Sequence, residues 1–189
     1  LEDVESEESL DFAKASNEKC LQALGDPKEG PTYDRILEVL ESEDRIAYAS
    51  CHGRDPEQDD KRNYYNFWKD QEHTKGIWRK TTEEEYKKEK PAWETVLDVD
   101  ALAEKDGISW VYKGASLLPR GRDPTNGKIV TRALLKLSRG GSDAVHVKEF
   151  DLSTKEFVSE EDGGFKIGEA KSRVSYKGRD VLLVDVISV

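Results

Sequence analysis

The sequence predicts a mainly β chain: antiparallel sheets of about four short strands each, preceded by an N-terminal helical segment. Three observations carry this reading. Residues 131–158 run TRALLKLSRGGSDAVHVKEFDLSTKEFV, short alternating apolar and polar stretches parted by turn residues. Near Arg45 the apolar period changes from three-and-four spacing to alternation. Of 189 residues 37% are charged, yet the chain holds four Trp, seven Tyr and five Phe. That balance suits many half-exposed strands and argues against disorder.

Residues 1–43 read as helical. Over 5–24, Leu10, Ala13, Asn17, Cys20, Leu21 and Leu24 fall near one face, and Gly25 followed by Pro27 is a stop signal. Residues 32–42 predict a second helix with Ile36, Leu37, Val39 and Leu40 as its apolar positions and Thr32 or Asp34 as its cap.

Residues 44–189 read as strands. The first group comprises 46–49, the aromatic run 64–69, 77–80 after the Lys75-Gly76 turn, and a last strand reached through 91–97. Residues 52–62 predict a charged loop, and 81–89 a charged stretch with local helix. Asp106-Gly107 predicts a turn before a strand at 108–112, and 114–127 a loop whose Asp123-Pro124-Thr125-Asn126-Gly127 has strong turn chemistry. Strands follow at 133–137, 144–150 and 155–158, joined by the turns 138–143 and 151–154. On the middle one, Val145, Val147 and Glu149 face one way and His146, Lys148 and Phe150 the other. After the Asp162-Gly163-Gly164 turn, 174–176 and 181–184 flank a turn at 177–180. Strands meandering through short turns are most of a four-stranded propeller blade. The expected fold is therefore a partial β-propeller: one blade at about 44–100, a second at about 106–168, and the edge of a third at about 169–189.

The net charge of −10, from 40 acidic and 30 basic residues, disfavours a nucleic-acid surface. No apolar run approaches the length of a membrane-spanning helix. Cys20 and Cys51 read as free thiols in a reducing compartment, which sets a cytoplasmic expectation. His52, His73 and His146 lack ligand spacing, so neither a metal nor a cofactor is expected. Gly140-Gly141-Ser142-Asp143-Ala144 has the glycines of a nucleophile turn, but a nucleophile elbow needs a helix after its Ser and a strand follows here. Ser142 is read as a turn residue. Trp68, Trp78, Trp93 and Trp110 sit at strand positions and are read as core rather than as a sugar platform. The acidic runs are read as solvated loops and helix ends. No catalytic residue is assigned.

Residues 138–158, SRGGSDAVHVKEFDLSTKEFV, resemble the second propeller blade of the prolyl oligopeptidase family of serine peptidases, in which a Ser-x-x-Gly-Ser-Asp turn precedes a strand, an Asp, a turn and another strand. Other pieces follow in family order. Leu1-Glu2-Asp3 resembles the end of an opening Trp-Leu-Glu-Asp motif, and 64–70 and 76–82 resemble first-blade strands. Val96-Leu97-Asp98-Val99-Asp100-Ala101-Leu102 resembles the Leu-Asp-Pro-Asn-x-Leu that closes blade one, and 169–184 resembles the entry to blade three.

The resemblance implies a propeller that caps an α/β-hydrolase domain and restricts access to short peptides. It implies that the catalytic Ser, Asp and His come from that C-terminal domain, which this chain is expected to lack. It also implies that the blade two–three edge borders the substrate cleft, which makes Glu169, Lys171 and Arg173 the candidate cleft residues. The absence of Met and the departure of Asp185-Val186-Ile187 from the family's Gly-Thr-Asp-like turn set the expectation of a fragment, with a truncation or frame error near Val184. A second reading stays open: a non-enzymatic propeller or β-sandwich module that binds a protein or glycan.

Overall fold

The structure is a computed structural model that describes residues 3, 5–42, 46–55, 61–119, 127 and 129–186; for Cys51, His52, Arg54 and Val186 it describes the backbone alone. The Asp123–Gly127 turn expected from sequence lies outside the described residues except for Gly127. The chain forms two compact units, Leu1–Arg45 and Ile46–Val189.

The first unit is a pair of helices. α1 spans Glu7–Leu24, with the Ser6 hydroxyl accepting from the Ser9 amide and with Glu7 and Glu8 in the first turn, where carboxylates complement the helix dipole. Gly25, at φ +83°, ends it. α2 spans Pro31–Glu41. Thr32 and Asp34 do not cap it: Gly30 is the N-cap and has no side chain to accept an amide, while Pro31 presets the first helical φ and has no amide to satisfy. Neither helix buries a residue.

The second unit begins with a four-stranded antiparallel sheet, β1 (Cys51–Arg54), β2 (Arg62–Trp68), β3 (Ile77–Thr82) and β4 (Glu94–Asp98), in that order. The strand expected at 46–49 is not formed. Asn66 Nδ2 donates to the Tyr48 carbonyl at 3.1 Å and the Ala49 amide donates to the Tyr86 hydroxyl at 3.0 Å, so side chains take the groups a ladder would use. The charged loop expected at 52–62 is shorter, because β1 carries on to Arg54 and β2 starts at Arg62. α3 (Glu83–Tyr86) is the local helix expected there, capped by Thr82.

Sequence reasoning missed α4, Val99–Asp106. Asp98 caps it, Val99, Leu102 and Ala103 form its buried face, and left-handed Gly107 closes it at φ +64°. The motif at 96–102 thereby has a physical purpose. Asp98 ends a strand and starts a helix, and Leu102 enters the core. Asp100 reaches back to the β2–β3 turn, where its carboxylate accepts from the Lys75 amide at 3.0 Å, the Gly76 amide at 3.1 Å and the Thr74 hydroxyl at 3.1 Å.

The second sheet pairs β5 (Trp110–Leu117), β6 (Arg132–Arg139), β7 (Val145–Asp151) and β8 (Glu156–Phe157), with β9 (Lys166–Ala170) also on β7. β5 runs past Gly114, where the sequence predicts a loop. Gly114, at φ +120°, sits at a register shift inside the strand, and β6 is long enough to pair on to Leu117. The edge of this sheet is broken. β8 covers the end of β7, a turn follows, and β9 covers its start. Glu149 lies opposite the break: its amide donates to the Phe165 carbonyl and its carbonyl accepts from the Val158 amide. Glu169 and Ala170 lie on β9, and the next strand begins at Ser172. That strand, β10 (Ser172–Gly178), pairs with β11 (Val181–Val186) as a hairpin.

Two apolar clusters hold these sheets together. One joins the first and second sheets through Tyr65, Trp78, Leu97, Trp110, Leu135 and Phe150 among others. The other joins the second sheet to the hairpin through Leu134, Val145, Val147, Val174 and Tyr176. All four Trp were expected in the core; Trp78 and Trp110 are buried, whereas Trp68 and Trp93 are half-buried around the Arg79 guanidinium, whose carbon lies 4.3 and 4.7 Å from their ring centres.

The turn after β2 carries a titratable pair. The Asp70 carboxylate accepts from the amides of Glu72 and His73 and meets His73 Nδ1 at 2.8 Å. The hydrogen bond to Asp70 raises the His73 pKa above its ordinary value, with desolvation opposing. Burial pushes the Asp70 carboxyl up, but the bonds from His73 outweigh it and leave it below the usual carboxylate range. The His73 contribution to stability is full below the ordinary histidine value and fades as pH rises through the raised one; the Asp70 contribution is present above the ordinary carboxyl value and fades as pH falls through the lowered one. An NMR titration should place the His73 midpoint above 6.5, and Asp70→Asn should bring it down. An unchanged midpoint in the variant would show that the bond does not form in solution.

Candidate functional site

The three candidate residues lie where β9 passes into β10, next to the β6–β7 turn. That turn is built from Gly140 at φ +59° and Gly141 at φ +91°, values that glycine adopts without strain. It projects Arg139 and Asp143 toward the start of β10. Glu169 Oε2 lies 3.9 Å from Arg139 Nη1 and 3.6 Å from His146 Nε2, the latter too long for a hydrogen bond. Lys171 Nζ lies 4.0 Å from Asp143 Oδ2. Except for His146, these side chains are open to water, so their ion pairs add little to stability and remain available to a charged ligand. The His146 ring meets the edge of Trp110 with ring centres 5.3 Å apart.

Arg173 does not join this cluster. It lies opposite Asp185 in the β10–β11 ladder and lines an open groove with Lys136, Ser175 and Leu183. The structure thus brings Glu169 and Lys171 together and sets Arg173 apart. Ser142 has no nucleophile geometry: its hydroxyl donates to the Ala144 carbonyl at 3.1 Å, and β7 rather than a helix follows it. Among the described residues no group of three or more His, Cys, Asp or Glu could hold a metal ion. Cys20 is exposed and free. No helix among the described residues is long and apolar enough to cross a membrane.

Just behind the edge lies a group that the sequence reading did not single out. Glu149 is fully buried. One carboxylate oxygen accepts from the Tyr176 hydroxyl at 2.7 Å; the other accepts from the Phe165 amide at 3.1 Å and lies 3.2 Å from Arg132 Nη1. Burial, then the hydrogen bond to the carboxylate, holds the Tyr176 phenol protonated far above its ordinary range. The signal was present in the alternation, since a carboxylate shares the apolar face of β7 with Val145 and Val147.

A family model described as the prolyl oligopeptidase N-terminal beta-propeller domain matches residues 1–170. An uncharacterized peptidase of Sinorhizobium fredii is 36% identical over 185 residues, covering 97% of this chain and 23% of that relative. An uncharacterized peptidase of Rickettsia prowazekii is 33% identical over 162 residues, covering 84% and 20%. Among solved structures, a post-proline cleaving enzyme from Rickettsia typhi superposes with a TM-score of 0.71 at 27% identity over 99% of this chain and 26% of that one. The chain thus spans between a fifth and about a quarter of the length of these relatives.

Proposed function

Because the chain belongs to the prolyl oligopeptidase family through its N-terminal β-propeller domain, we propose that it forms the first blades of a propeller that governs how short peptides reach a serine-peptidase centre elsewhere in the enzyme. The observation that carries this is the succession of two antiparallel sheets, the second packed on the first, within the residues 1–170 that the family model matches, with a hairpin packed on the second sheet after them. Peptide hydrolysis belongs to the whole enzyme; the substrate is a peptide, and Glu169, Lys171 and Arg173 face it from the blade two–three edge. Their charges suit the termini and charged side chains of a peptide. They supply neither an activated nucleophile nor an oxyanion site.

Two measurements test this. The purified chain should leave chromogenic peptides uncleaved, and Ser142→Ala should change nothing; turnover abolished by that substitution would make Ser142 a nucleophile and overturn the reading. Titrating a short proline-containing peptide into the chain should shift the NMR signals of Glu169, Lys171 and Arg173 before those of the first sheet. Shifts confined to other faces would remove these three from the cleft.

A further inference from the structure

The two seams of this propeller segment are unlike in chemistry. Where blades one and two meet, the contact is apolar: Tyr65 and Trp78 pack against Trp110, Leu135 and their neighbours, and Phe67 stacks on Tyr112 at 4.4 Å. Its ion pair, Lys155 to Glu94 at 2.7 Å, lies at the exposed rim. Parting this seam would put large apolar area into water, with the buried Trp78 indole nitrogen regaining hydration as a small offset.

Where blade two meets the β10–β11 hairpin, aliphatic residues surround the buried Glu149 carboxylate, and the Tyr176 hydroxyl bonds it across the seam. Two hydroxyls on the same facing surfaces, Ser138 Oγ on β6 and Ser172 Oγ on β10, are buried with no hydrogen-bond partner among the described residues, as is Arg132 Nε. A buried carboxylate and orphaned hydroxyls all regain water when the surfaces part, which lowers the cost of separation.

We infer that the seam between blades two and three is a built-in opening of the propeller wall, with the Tyr176–Glu149 bond as its latch: the β10–β11 hairpin parts from blade two as a unit while blades one and two stay joined. The inference concerns this chain's own packing and does not rest on its peptidase role. Arg132 and the Phe165 amide hold the carboxylate aimed at Tyr176, so the latch is preset on the blade-two side.

Native-state hydrogen exchange on the 189-residue chain tests it. In the unaltered protein, the paired amides of β10 and β11 should exchange through an opening that leaves those of β2–β3 and β6–β7 protected. Tyr176→Phe keeps the ring and removes the latch; it should speed exchange in β10–β11 by about tenfold, the usual effect of leaving a buried acceptor without its donor, and leave blade one unchanged. Glu149→Gln keeps an acceptor for the Phe165 amide and should act on the same amides. The double variant should lose little more than either single one. One common exchange rate for all three blades in the unaltered chain, no effect of Tyr176→Phe, an equal effect on every blade, or fully additive effects would each overturn the latch.

Discussion

Trp78→Ala is expected to destabilise the second unit by about 3–5 kcal/mol, a large part of the roughly 5–15 kcal/mol that holds an ordinary domain folded. Trp78 is fully buried, stacks on Tyr65 at 5.0 Å and meets Tyr112 at 6.1 Å, so truncation empties the middle of the seam between the first and second sheets. Its indole nitrogen has no hydrogen-bond partner among the described residues. Trp110, by contrast, donates its indole hydrogen to Asp106 at 2.8 Å. Trp78→Phe should therefore cost less than Trp110→Phe, because only the second leaves a carboxylate without a donor it had. Urea unfolding followed by fluorescence of the remaining tryptophans measures all three. A Trp78→Phe variant weaker than Trp110→Phe would show that the Trp78 nitrogen has a partner in solution.

Asp100→Ala should cost about 2–3 kcal/mol, as expected when a charged acceptor shared by several donors is removed. The amides of Lys75 and Gly76 would lose their acceptor, and the turn they form is tightly fixed. Gly76 sits at φ +102°, and a Cβ there would come within 2.5 Å of the Phe67 ring and 2.9 Å of the Trp68 carbonyl. Asp100→Asn retains one acceptor oxygen and should cost about half as much. Urea midpoints compare the two variants, and hydrogen exchange at Gly76 locates the effect. If Asp100→Ala unfolds at the same urea concentration as the unaltered chain, water replaces the carboxylate without cost.

Much of this architecture was legible because strand alternation and turn chemistry report the same boundaries. β7 shows it best: the face predicted for Val145, Val147 and Glu149 is the face that packs on the β10–β11 hairpin. The failures have local causes. Residues 46–49 alternate like a strand, but alternation cannot announce that Asn66 and Tyr86 will take up their backbone groups. Gly114 reads as a loop because a bulge and a turn use the same residue. α4 was readable, with Asp98 before it and Gly107 after it, but its single buried turn lies inside a motif that looks like the end of a strand. Of the candidate site, the sequence named the charges that lie where the second sheet passes into the hairpin. It did not separate Arg173 from Glu169 and Lys171, because alternation does not show that the chain breaks between Ala170 and Ser172 and sets Arg173 opposite Asp185 in a new ladder.

The pairing order has a consequence for how the chain folds. Every sheet joins strands that are neighbours in sequence, apart from β9 returning to β7. Such short loop closures carry a small entropic cost and form early. The first sheet can therefore assemble once Asp98 has left the ribosome, while the residues that cover it reach as far as Leu152 in the second. At about 5–20 residues per second of synthesis, the face bearing Tyr65 and Trp78 waits roughly 3–11 s for that cover. During that interval the nascent chain is most exposed to association with others.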